Sequence, residues 1–243
     1  MSINLYALSL DAKDPAGLAR FWAGVLGWKH ADGNELLPDA DTSFRLRFLH
    51  SDVEKDRPNQ THLHLTSQTP EQQQETVARA LELGGRHLEV GQKPEEGHIV
   101  LADPEGNEFC VIEAGNKFLA DTAFLGELAQ DGTRAVGYFW SKALDWPLVW
   151  DQDEETAIQA PSGGPKVAWG GGPVSPKAPK NRLHWDLTVP ADGDVDAEVE
   201  RLIALGATRL ESGQEGAAAI PMADPDGNEF CILTGPREQP VAS

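Results

Sequence analysis

One eight-residue block occurs twice in this chain, and it constrains the fold more than any other feature. Asp103-Pro-Glu-Gly-Asn-Glu-Phe-Cys110 recurs as Asp224-Pro-Asp-Gly-Asn-Glu-Phe-Cys231, with seven of the eight residues identical at a shift of 121. Upstream, His62-Leu-His-Leu-Thr answers His184-Trp-Asp-Leu-Thr at a shift of 122. Phe21-Trp22 and Leu26-Gly-Trp28 answer Phe139-Trp140 and Leu144-Asp-Trp146. Matches in separated blocks mean a duplicated folding unit rather than a chance motif. The copies run over 1–117 and 118–243, each large enough to bury its own core.

Each copy divides again. Residues 3–10 alternate as a strand does, and Asp14-Pro15 opens a helix with Asp as N-cap and Pro at the first position. Leu18, Phe21, Trp22 and Val25 form its apolar face, and Gly27 ends it. Short strands follow near 34–37 and 43–49. The pattern then repeats: a strand over 61–66, a helix capped by Thr69-Pro70 with Val77, Ala80 and Leu81 inward, a stop at Gly84-Gly85, and strands near 86–90, 97–102 and 108–112. Asp103-Pro-Glu-Gly-Asn107 is turn chemistry between the last two. Strand, helix and about three strands therefore recur four times, giving an α+β chain. The order between 155 and 180, rich in Gly and Pro, is left open.

Paired βαβββ units with Asp-Pro-(Glu/Asp)-Gly-Asn before the last strand resemble the vicinal oxygen chelate superfamily. The Phe21-Trp22…Leu26-Gly27-Trp28 block is similar to its helix-to-strand signature. Glyoxalase-like and bleomycin-resistance-like domains are the subgroup most resembled. The resemblance implies tandem domains, each a pair of βαβββ units forming a curved mixed sheet around a cleft. It does not fix an activity, because one fold hosts many chemistries.

Strand alternation selects the cleft face. Leu63 and Leu65 lie on one side of their strand, and His62 and His64 on the other. Phe109 and Val111 likewise oppose Glu108 and Cys110. The first copy thus offers His62, His64, Glu108 and Cys110 as ligand-binding candidates, and the second His184, Asp186, Glu229 and Cys231. Strand histidines are often only structural, and cysteine often acts as a small buried hydrophobe; both readings stand beside the ligand-binding one. Trp22, Trp28, Trp140 and Trp146 read as core, as does Trp185 by alternation with Leu187.

In metal-dependent members the resemblance implies one ligand from the first strand and one from the last strand of each half-unit. The late position falls on Cys110 and Cys231, and the early one on His62 and His184. The first half-units place Ala7 and Leu125 there, and offer no carboxylate or histidine in register near 44–48 or 165–169. Catalytic metal sites need about three protein ligands, so no catalytic metal and no other cofactor is expected.

The remaining chemistry is limited. A Cys–His pair could form a nucleophile, but a mid-strand thiol has no helix dipole, and Glu108 would oppose its ionisation. No phosphate loop, dinucleotide fingerprint or nucleophile elbow is present. Lys177, Lys180 and Arg182 lead into the His184 strand and either greet an anionic ligand or are simply solvated. Arg45 and Arg47 alternate with Phe44, Leu46 and Phe48 and face the first cleft. With 39 Asp+Glu against 20 Lys+Arg, the formal charge is −19, which excludes nucleic acid and anionic membranes as first partners. No apolar run spans a bilayer, no secretory signal is seen, and the two cysteines at equivalent positions are not expected to bridge, so a reducing cytoplasm is expected. A homodimer is left open.

Three functions remain in view. The first is metal-free binding of a small organic ligand, of the drug-sequestering kind. The second is a lyase, isomerase or dioxygenase with an unconventional metal set or general acid–base work by His62 or His184; no catalytic residue is assigned. The third is a scaffold whose clefts are filled by side chains. The two copies are expected to hold two similar clefts, or two similar cores, that share one departure from the metal pattern.

Overall fold

The computed structural model describes residues 3–38, 42–93, 95–170, 180–211 and 218–235. The first unit comprises β1 (Asn4–Ala12), α1 (Pro15–Leu26), β2 (Lys29–Ala31), β3 (Glu35–Leu37) and β4 (Arg45–His50). The second comprises β5 (Thr61–Leu65), α2 (Pro70–Glu82), β6 (Arg86–His87), β7 (Ile99–Ala102) and β8 (Glu108–Val111). The third comprises β9 (Leu125–Asp131), α3 (Arg134–Leu144), β10 (Leu148–Gln152), β11 (Glu155–Gln159) and β12 (Lys166–Gly170). The fourth comprises β13 (Leu183–Thr188), α4 (Val195–Leu205), β14 (Thr208–Arg209), β15 (Ala219–Ala223) and β16 (Glu229–Leu233).

The caps behave as the sequence predicts. Asp14 accepts from the Gly17 amide at 2.9 Å, and Thr69 from the Gln72 amide at 3.2 Å. Gly27 adopts φ 74°, a left-handed conformation that ends α1 at little cost to a residue without Cβ. Val77 and Ala80 are buried, whereas Leu81 is 37% exposed, a departure from the expected inward face. Trp146 is only partly buried, unlike its counterpart Trp28.

The strands assemble into two eight-stranded mixed sheets, neither closed into a barrel. Their order differs from a simple pairing within each copy. One sheet runs β14-β15-β16-β13-β1-β4-β3-β2, joining the first and fourth units; the other runs β10-β11-β12-β9-β5-β8-β7-β6, joining the second and third. We call these the outer-unit and inner-unit sheets. The central seams are antiparallel, β1 with β13 and β5 with β9.

Within a copy the units meet instead through helices and polar contacts, among them a staple built on the duplicated motif. Helix α1 packs on α2, and α3 on α4. The Asp103 carboxylate accepts from the backbone amides of Glu105 and Asn107, from the Asn107 side chain, and from the indole of Trp22 on α1 at 3.2 Å. Asp224 repeats this with Asp226, Asn228 and the indole of Trp140 at 3.1 Å. The duplicated motif is therefore a lock on the preceding unit's helix. Burial pushes both carboxyls up to about 6, despite the donors that favour their charge.

Two bulges set which residues face the clefts. The β1 register shifts at Tyr6, so Ala7, Ser9 and Asp11 oppose the core-facing Leu8, Leu10 and Ala12. The β9 register shifts at Gly126, whose missing Cβ would lie 2.4 Å from Thr66. The extra residue flips the alternation. Glu127, not Leu125, takes the position equivalent to Ala7, and Leu125 is core.

Candidate functional site

The concave face of the inner-unit sheet gathers residues from both copies. His64 lies in register with Cys110 on one neighbouring strand and with Glu127 on the other. Its Nδ1 is 2.7 Å from Glu127 Oε2, with the imidazole side chain 20% and the carboxylate 9% exposed. Burial opposes charge on the ring, but hydrogen bonding to Cys110 and Glu127 outweighs it and carries the His64 pKa up to about 10. His62, opposite Ala129, differs: burial lowers its pKa, against the pull of Asp131 and Glu108, so its ring is neutral near pH 7. No hydrogen bond to the His62 ring forms within the described residues.

A cavity of about 330 Å³ opens beside these residues, lined among others by His62, Glu127, Ala129, Ala168, Trp150 and Phe118. Phe118, from the segment joining the copies, meets the Trp150 ring edge-on at 5.6 Å. The Lys166 ammonium sits 4.6 Å from the Phe118 ring and donates to the Phe118 carbonyl. Burial lowers the Lys166 pKa, partly offset by Glu127.

The outer-unit sheet carries a different arrangement at the equivalent positions. Asp186 replaces His64, Ser9 replaces Ala129, and Arg47 replaces Ala168. Asp186 accepts from Ser9 Oγ at 2.6 Å and from the Arg47 guanidinium. Arg47 also donates to Glu35 at 2.9 Å, and Arg45 to Glu35 at 3.0 Å. The Arg45 guanidinium lies 4.2 Å over the Tyr6 ring. With side-chain exposures of 3% for Asp186 and 18% for Arg47, the pair is largely buried on this face. His184 is 5% exposed with an unpartnered Nδ1, and burial lowers its pKa. Cys231, in register with Asp186, is pushed up to about 11 by burial first and by Asp186 second. The expected similarity of the two clefts or cores does not extend to these positions, where Arg47 pairs with Asp186 and the inner sheet carries Ala168 and His64.

Two of the sequence candidates turn out to brace the scaffold. Glu108 accepts from Lys55 and from the Asn59 amide at 3.2 Å, and Glu229 accepts from the Asn181 amide at 3.1 Å. Asn59 and Asn181 also bond Asn107 and Asn228 at 2.9 and 3.0 Å. Each glutamate ties the segment before a central strand to the duplicated turn. Lys180 pairs with Asp11 at 2.8 Å, and Arg182 bonds the Asp11 and Val53 carbonyls; Lys177 lies outside the described residues.

Glu127, Lys166, Trp150 and Phe118 escaped the sequence reading. Glu127 was hidden by the bulge at Gly126, and the others by the exchange of units between copies. Strand register moves the early ligand position from His62 and His184 to His64 and Asp186, so the pattern's four positions become His64, Cys110, Glu127 and Lys166 in the inner-unit cleft, and Asp186, Cys231, Ala7 and Arg45 in the outer. A divalent cation does not fit either set. Each includes a cationic side chain that would repel it, and among the described residues no three His, Cys, Asp or Glu groups are spaced to hold a metal.

Comparison with known proteins agrees with this architecture. The profile of the glyoxalase-like domain matches twice, over residues 7–112 and 127–233. Glyoxalase I from Zea mays superposes with a TM-score of 0.63 at 14% identity, covering 96% of this chain and 92% of that one. A candidate dioxygenase from Bacillus subtilis subsp. subtilis str. 168 superposes with a TM-score of 0.57 at 13% identity, covering 97% and 86%. At these identities the likeness concerns the fold. No curated protein matches by sequence. With two glyoxalase-like domains across most of its length, the chain belongs to the glyoxalase-like domain family.

Proposed function

We propose that the protein binds a small organic molecule in the inner-unit cleft, without a catalytic metal. The observation that carries this reading is the cavity of about 330 Å³ between Phe118, Trp150 and His62. Its volume lies at the lower end of small-molecule sites, and its walls combine the rings of Phe118, Trp150 and Trp169 with His62 and the carboxylates of Glu127, Asp131 and Glu155. Aromatic walls favour a planar ligand, and neutral His62, free to donate or accept one hydrogen bond, would orient it. The outer-unit cleft plays no part in binding, since its own ion pairs occupy it. Both cysteines are free, which suits a reducing cytoplasm.

A thermal-shift screen with small planar aromatics and conjugated carbonyl compounds tests the reading. Stabilising hits should compete for one site per chain, with no dependence on added zinc, nickel or manganese. Hits that require a divalent ion would overturn it.

A second reading is favoured by His62 itself. A neutral imidazole facing a cavity with no partner of its own can act as a general base on a bound substrate. Turnover of a screen hit, lost in His62→Gln while binding persists, would distinguish this enzyme reading from pure binding.

A further inference from the structure

We propose that Cys110, His64 and Glu127 form a nucleophilic centre in which Cys110 adds to small α,β-unsaturated carbonyl compounds entering the inner-unit cleft. The cluster comes from three adjacent strands. Cys110 on β8 and Glu127 on β9 flank His64 on β5, all on the concave face. Glu127 fixes the ring through Nδ1 at 2.7 Å, and Cys110 lies in register beside His64 on the adjacent strand. A thiol beside a cationic imidazole is the environment in which cysteines become reactive, and the thiol here is partly exposed. Glu127 also lines the cavity, so the cluster borders the space where a ligand would lie. Glu108, the nearest acidic neighbour in sequence, is paired with Lys55.

The substrate class follows from the pair. A soft sulfur nucleophile next to a proton donor suits a conjugated acceptor, and the aromatic walls suit a planar one. The sulfur bonds the β-carbon while the C=C π pair moves toward the α-carbon and carbonyl. The thiol proton leaves to water, and His64 delivers a proton to the α-carbon and regains one from water. The net change is addition of S–H across C=C, with no oxidant or reductant.

The second copy supplies an internal control. Cys231 is also partly exposed, but burial first and its strand neighbour Asp186 second disfavour the reactive form of its thiol, against the pull of Lys180 and Arg47. The inference shares with the binding reading only the requirement that the cleft admit small molecules.

The test is acrylamide labelling of the intact protein at neutral pH, with both cysteines followed by peptide mass spectrometry. Cys110 should label at least about tenfold faster than Cys231, and His64→Gln should lower the Cys110:Cys231 ratio at least about fivefold. Equal rates in the wild-type protein would overturn the proposal. So would a ratio unchanged by His64→Gln, including the case in which loosened packing speeds both sites together. The non-covalent hits of the thermal-shift screen do not depend on this outcome, so the two readings fail separately.

Discussion

The two clefts are built from equivalent strands at equivalent registers, yet one is open and the other is closed. In the inner-unit cleft, Ala129 and Ala168 lie side by side and leave a cavity. In the outer-unit cleft, Ser9 and Arg47 hold those positions, and Arg47 reaches Asp186 and Glu35. Two small residues thus separate a cavity from a buried ion pair. The charges differ in kind as well. His64 can shed its proton if its partner is lost, while Arg47 cannot. The inner cluster can therefore change protonation state, whereas the Arg47 charge of the outer network is fixed.

Breaking the outer network should have the largest effect. Asp186→Ala leaves surplus buried positive charge and should cost about 3–5 kcal/mol in urea denaturation. A loss below about 1 kcal/mol would mean that the network is not a closed structural element. Ala168→Arg copies the outer arrangement into the inner cleft. It should abolish the thermal shift produced by screen hits, a loss of at least about tenfold in affinity, or about 1.4 kcal/mol. Unchanged binding would move the ligand site elsewhere.

Glu127→Gln should cost less than Asp186→Ala, about 1–2 kcal/mol, because His64 can deprotonate in response. The pH dependence has a definite sign. The folded-state pKa of His64 lies at about 10, above its ordinary value of 6.5, so its stabilising contribution is complete below the lower value and is lost as pH rises through the upper one. The stability difference between wild type and His64→Gln, measured by urea titration, should therefore shrink from neutral to alkaline pH. A constant difference would remove the imidazolium from the account. The smallest effect expected is a contrast that should not exist. Asp103→Asn and Asp224→Asn break equivalent staples, and their stability losses should agree within about 0.5 kcal/mol.

Much of the scaffold was legible because it is governed by local rules. Asp14 and Thr69 cap helices through short-range hydrogen bonds. Alternation over 61–65 and 183–188 assigned His62, His64, His184 and Asp186 to one face, because the strand period is two. The candidate site was less legible. Glu108 and Glu229 lie on the cleft side by alternation, but their partners Asn59 and Asn181 sit about fifty residues away, and no local pattern reveals them.

The sequence by itself determined the duplication, the four βαβββ units and the side chains on the faces of the strands at 61–65 and 183–188. Repeats, caps and alternation are written in residues close together along the chain. Only the tertiary structure decided which units share a sheet. Pairing the second unit with the third, and the first with the fourth, brings Glu127 to His64 and Arg47 to Asp186. A one-residue bulge at Gly126 then decides that Glu127 rather than Leu125 faces the cleft. These choices rest on packing between segments far apart in sequence, where register and partner are set by the whole assembly.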